Sequence, residues 1–189
     1  QTMLGVFAGD SGVAKEYTSL TWADLNGDGF MDLFVAGYTA IKTGTGNAAS
    51  QVYYNDGTGK FVSATNGVGN AMNVQNLGDK TNSNTSLAVD WNGDGKVDLL
   101  EIAGVSQGST NTLVQGADNK GILWLNDGTN ASHQVIWQQE TLVAKANMIG
   151  AGKFFYVSGA QTVDLDYDGD QDLVMFRGNG GATDYYVND

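Results

Sequence analysis

The chain has no cysteine, no proline, a single histidine and only 9 basic residues against 21 acidic ones, and no apolar run approaches the roughly 20 residues of a membrane span. Without cysteine there are no disulfides and no thiolate chemistry, and the redox compartment stays open. Without proline the turns fall to Asn, Asp and the 27 glycines. The net charge of -12 repels phosphate backbones and anionic headgroups, so neither nucleic-acid binding nor membrane insertion is expected. No secretory leader is visible, and because residue 1 is Gln the sequence is expected to be a mature or excised segment. A hydrophobic share of 41% can supply a real core.

What the chain does have is an Asp-rich loop written three times. Positions 1, 3, 5 and 9 of this loop are Asp24, Asn26, Asp28 and Asp32, then Asp90, Asn92, Asp94 and Asp98, then Asp164, Asp166, Asp168 and Asp172, with Gly29, Gly95 and Gly169 at position 6. Oxygen side chains at this spacing converge on a hard cation because the glycine lets the backbone turn sharply. These positions hold ten of the 21 acidic residues, and three divalent ions would bring the net charge from -12 to -6. Carboxylate and amide oxygens without thiolate or imidazole favour Ca²⁺ over Zn²⁺, and a flexible loop suits Ca²⁺ better than the stricter octahedron of Mg²⁺. Three Ca²⁺ sites are therefore expected.

The loops begin 66 and 74 residues apart, and a second landmark follows each: Asn55-Asp56-Gly57-Thr58, Asn126-Asp127-Gly128-Thr129 and Asn188-Asp189, every one preceded by Tyr- or Trp-rich sequence. Short β-prone stretches precede the loops (19–23, 85–89, 161–163) and apolar ones leave them (33–38, 99–103, 173–176). The Asn-Asp-Gly-Thr segment reads as a hairpin turn with glycine at positive φ. About four strands per unit, and no segment of convincing helical periodicity, predict an all-β fold of propeller blades. The units run over about residues 10–75, 76–150 and 151–189, the last incomplete, within a single segment 1–189 that is expected to be one part of a larger propeller. The apolar stretch 3–8 is expected either to supply a strand to the unfinished third blade or to complete a blade lying upstream, and the Gly-, Ser- and Thr-rich stretches 39–49, 104–120 and 178–184 read as variable connections.

These loops and the aromatic-Asn-Asp-Gly turns resemble the FG-GAP or VCBS-type repeats of calcium-binding β-propellers, found in integrin α-subunits, bacterial toxins and adhesins, and some fungal lectins. The resemblance implies blades of four antiparallel strands with calcium held in the turn between the first two. It adds the backbone carbonyls of Phe30, Lys96 and Asp170 as ligands at position 7. It also implies an exported bacterial adhesin or toxin, extracellular or at the cell surface. Such a module serves as scaffold and interaction domain for a protein or glycan ligand, with remaining blades from the parent chain or another copy. No Phe-Gly followed by Gly-Ala-Pro occurs, which departs from the integrin pattern.

Rival readings of the same residues are weaker. An EF-hand needs a bidentate Glu at position 12 between two helices, where this chain has Val35, Glu101 and Met175. Solvated Asp-Gly turns would not retain the ninth-position Asp three times over. His133 reads as a surface turn residue rather than a general base, no catalytic set is expected, and the chain is not read as an enzyme. Trp124, Trp137, Tyr53, Tyr54, Tyr185 and Tyr186 could stack on sugars, as a lectin or a polysaccharide-degrading enzyme would require, but their recurrence in the repeat favours packing between blades. Trp22 and Trp91 adjoin their loops and are expected to wall them from solvent.

Overall fold

The computed structural model describes residues 16–38, 50–64, 83–103, 121–142, 157–177 and 183–188. Eleven strands and no helix occur among them: β1 (Glu16–Ala23), β2 (Asp32–Tyr38), β3 (Gln51–Asn55), β4 (Phe61–Ser63), β5 (Ser83–Val89), β6 (Asp98–Ala103), β7 (Gly121–Thr129), β8 (Val135–Leu142), β9 (Val157–Val163), β10 (Asp172–Arg177) and β11 (Thr183–Tyr186). They form three antiparallel meanders, ordered β1-β2-β3-β4, β5-β6-β7-β8 and β9-β10-β11. Each has an Asp-rich loop joining its first two strands, and these are the expected blades with the third incomplete. The stretches 3–8, 39–49 and 104–120 lie outside the described residues. The expected connection 178–184 is too long, because β11 already begins at Thr183, where it pairs with Phe176.

The blades repeat in detail. Each first strand carries one unpaired residue, Thr18, Asn84 or Ser158, six residues before its loop. A bulge at one fixed place bends each strand alike and lets the sheets stack side by side. As a result β1 lies against β5, and β5 against β9. Between the first two, Ser86 donates its backbone N–H to Ser19 Oγ at 3.0 Å.

Strand alternation decides which residues glue the blades together, because successive side chains face opposite sides of the sheet. Phe34, Ala36 and Val52 of the first blade meet Leu99, Ile122, Trp124, Val135 and Trp137 in one buried cluster. Leu100, Ile102 and Leu123 of the second blade meet Ala160, Leu173 and Met175 of the third in another. The predicted packing role of the aromatics therefore holds for Tyr54, Trp124 and Trp137 inside the first interface, and Tyr53 is buried as well. Tyr54 also accepts the Val135 N–H at 2.8 Å, and burial pushes its phenol up to about 12. Glu101 is buried in the same region, where it accepts hydrogen bonds from Ser50 Oγ and from Trp124 Nε1.

Two expectations need correction. In the second blade Asn126-Asp127-Gly128-Thr129 is not the hairpin turn; it lies within β7, and the turn is formed by residues 130–134, closed by the Asn130 N–H on the Gln134 carbonyl. The positive φ of Gly128 is used there for a bulge between Asn126 and Thr129, so the hairpin runs on past the motif. In the first blade the turn does fall on the motif, with the Asp56 N–H bonded to the Lys60 carbonyl. The second correction concerns Trp22, which is half exposed and meets Phe61 edge-on instead of shielding its loop. Trp91 is buried and packs against Tyr186.

Candidate metal centres

Each loop is organised by its own carboxylates. At position 1, Asp24 accepts the N–H groups of Gly27, Asp28 and Gly29 at 2.8 to 3.1 Å; Asp90 accepts those of Asp94 and Gly95, and Asp164 those of Tyr167 and Gly169. Positions 3 and 5 each accept an N–H two residues on: Asn26 from Asp28, Asn92 from Asp94, Asp166 from Asp168, and Asp28, Asp94 and Asp168 from Phe30, Lys96 and Asp170. Such turns need a left-handed residue at position 4 as well as at position 6. Gly27 and Gly93 supply the first, but in the third loop Tyr167 occupies it with φ of 66°. A side chain there is strained by about 1–2 kcal/mol, partly offset by the greater unfolded-state freedom of glycine. Tyr167→Gly is therefore expected to raise stability by up to about 1 kcal/mol in urea denaturation, and a destabilised variant would contradict this.

Position 9 does something the spacing did not reveal. Asp32, Asp98 and Asp172 are fully buried, and each bridges two backbone amides. One oxygen accepts the N–H of loop position 2 (Leu25, Trp91 or Leu165) at 2.6 to 3.0 Å. The other accepts the N–H of the second landmark's Asn (Asn55, Asn126 or Asn188) at 2.8 Å. The two landmarks of the repeat are thus the two ends of one clamp. Desolvation raises the pKa of Asp32 and Asp98 against the lowering effect of these amides.

The Asn side chains carry the connection onward. Asn126 Nδ2 donates to the Leu25 carbonyl of the preceding blade's loop, and Asn188 Nδ2 to the Trp91 carbonyl, both at 2.9 Å. Every ninth-position Asp therefore ties its loop to the Asn at or just past the end of its own third strand, and in the second and third blades that Asn ties the blade to the loop before it, whereas Asn55 donates to the Met31 carbonyl of its own loop. The recurrence of Asn in the second landmark was the available signal.

As cation sites the loops differ. In the third, oxygens of Asp164, Asp166 and Asp172 lie within 4.8 Å of one another, the spread that ligands at 2.3 to 2.6 Å from one Ca²⁺ would have. Asp166 has a raised pKa, from desolvation and from the neighbouring charge of Asp168. Among the described residues no other acidic trio converges in this way. In the first loop Asn26 Nδ2 donates to Asp28 Oδ2 at 2.9 Å, and in the second Lys96 Nζ lies 2.6 Å from Asp94 Oδ2 and lowers the pKa of that carboxyl. Position 5 is thus turned toward a neighbour in both. Phe30, Lys96 and Asp170 stand at position 7 with exposed side chains. A cleft of about 410 Å³ separates the first two loops, lined by Asp24, Asn26, Lys96, Asn126 and Thr129 among others. His133 sits beyond it in the exposed β7–β8 turn, where its carbonyl accepts Asn26 Nδ2 at 3.1 Å.

No curated protein matches the chain. A family model described as the FG-GAP-like repeat matches residues 24–101, from the first aspartate of the first loop into the strand leaving the second. FG-GAP-like repeats are blades of propeller-type interaction modules, in agreement with the meanders described above. Over residues 24–101, fewer than half of its 189 residues, the chain is similar to the FG-GAP-like repeat.

Proposed function

We propose that the chain is a calcium-stabilised propeller module, the scaffold and interaction domain of an exported bacterial adhesin or toxin, and not itself an enzyme. The observation that carries the calcium reading is the convergence of Asp164, Asp166 and Asp172. Five carboxylates crowd the third loop, four of them at positions 1, 3, 5 and 9, and a divalent ion among them relieves their repulsion. The first two loops have three carboxylates each, and Lys96 partly neutralises the second. Affinity is therefore expected to fall from the third loop to the first and then to the second. Extracellular calcium modules bind at about 10⁻⁴ to 10⁻³ M, so occupancy requires calcium-rich surroundings and fits a location outside the cell or on its surface.

The test is thermal unfolding in calcium against chelator. One site held at a hundredfold excess over its dissociation constant contributes about 2.7 kcal/mol. For a chain of this size that is a fall of roughly 5 to 10 °C in Tm on chelation of the third loop alone. Asp166→Ala should remove most of this response, and an unchanged melting curve in chelator would overturn the reading. A lectin reading has less support, because four of the six rings that could stack on sugars are buried, Tyr53, Tyr54, Trp124 and Trp137.

A further inference from the structure

Positions 3 and 4 of the first two loops are Asn26-Gly27 and Asn92-Gly93, where the third loop has Asp166-Tyr167. In an Asn-Gly pair the backbone nitrogen attacks the side-chain amide most readily, because glycine has no Cβ to obstruct the approach. Both asparagines are already curled over that peptide, since Asn26 Oδ1 and Asn92 Oδ1 each accept the N–H two residues on, at 3.1 Å. Attack then depends on whether the intervening nitrogen is free.

The two loops differ at that atom. The Gly27 N–H donates to Asp24 Oδ1 at 2.8 Å, as the Tyr167 N–H of the third loop does to Asp164 Oδ1 at 2.7 Å. Asp90 instead takes the N–H groups of Asp94 and Gly95, and among the described residues the Gly93 N–H has no acceptor. Asn92 and Gly93 are both exposed, whereas Asn26 is half-buried. Its Nδ2 is held besides by Asp28 Oδ2 at 2.9 Å and by the His133 carbonyl at 3.1 Å. Two further Asn-Gly pairs, 66–67 and 179–180, lie outside the described residues.

We propose that Asn92 is a site of spontaneous succinimide formation, through which the second loop changes its own donor set with time. The Gly93 nitrogen bonds to Asn92 Cγ, the side-chain nitrogen departs as ammonia with the Gly93 proton, and a cyclic imide remains. Water then opens one or the other carbonyl of the ring. One product is aspartate at position 92, which gives the second loop carboxylates at positions 1, 3, 5 and 9, the set that the third loop has. The other is isoaspartate, in which the main chain runs through the β-carbon and the loop is longer by one atom. Either product takes the net charge from -12 to -13.

Peptide mapping by mass spectrometry, on the full chain held for days in mildly alkaline buffer with chelator, tests this. Chelator excludes any bound ion, so the outcome is independent of the calcium reading. Asn92 is expected to convert about tenfold or more faster than Asn26, the rate equivalent of giving up one hydrogen bond to a carboxylate. In urea the two rates should become similar, because both residues stand in the same Asn-Gly-Asp-Gly sequence. Isoaspartate should form alongside aspartate at position 92. Direct hydrolysis of the side-chain amide gives no isoaspartate, so its absence would overturn the proposal. No conversion at Asn92, or a rate no faster than that of Asn26 in the native chain, would overturn it too. The same gap persisting in urea would do so as well, since the difference would then belong to the local sequence and not to the fold.

Discussion

Asp98→Ala is expected to destabilise the chain by about 2 to 6 kcal/mol in urea denaturation, because it leaves two buried backbone donors, the Trp91 and Asn126 N–H groups, without an acceptor at about 1–3 kcal/mol each. Such a loss is a large fraction of the 5–15 kcal/mol typical of a domain. It would fall on the second loop, on β7 and, through the Asn126 side chain, on the first blade as well. The measurement belongs in chelator, so that any loss of metal affinity is kept apart from the loss of the clamp. Asp98→Asn should fall in between, since one oxygen is kept while an amide group is set against the other N–H. Asp170→Ala, in an exposed loop, should stay within about 0.5 kcal/mol of wild type. If Asp98→Ala matched Asp170→Ala, the ninth position would have no structural role beyond the metal.

The second large effect is expected at Trp124. Its indole is fully buried between the first two blades and donates to Glu101 at 2.9 Å. Trp124→Ala should cost about 3 to 5 kcal/mol from lost transfer energy and the cavity left behind. Trp124→Phe retains most of the packing and isolates the hydrogen bond to the carboxylate, about 1.5–3 kcal/mol. Trp22→Ala is the control, since that indole is half exposed. Comparable losses at Trp22 and Trp124 would mean that the interface between the first two blades does not carry the stability attributed to it.

Much of this architecture is legible in the sequence. The β-prone and apolar stretches on either side of each loop form β1, β2, β5, β6, β9 and β10, each extended by one to four residues, because strand pairing continues past the point where hydrophobicity ends. Turn chemistry is less legible there. Gly128 has the positive φ expected of it, but a glycine at that φ serves a bulge as readily as a turn, and only the pairing of Thr129 with Val135 shows which was formed. Tyr167 gave no signal at all, since left-handed backbone at a tyrosine is imposed by the Asp164 carboxylate holding the surrounding amides.

By itself the sequence determined the unit, its three-fold recurrence and the oxygen donors of each loop, because these depend on local spacing and on the chemistry of side chains close together in the chain. Only the tertiary structure decided what those residues do beyond their own loop. It separated the converging third loop from the first two, made the ninth aspartate a clamp onto a strand up to 28 residues away and gave Asn126 and Asn188 to neighbouring blades. It also buried Trp91 while leaving Trp22 in solvent. The reason is that a hydrogen bond or a buried face needs a partner, and in a stacked array that partner is set by which blade lies alongside, a relation between distant segments that no window of neighbouring residues contains.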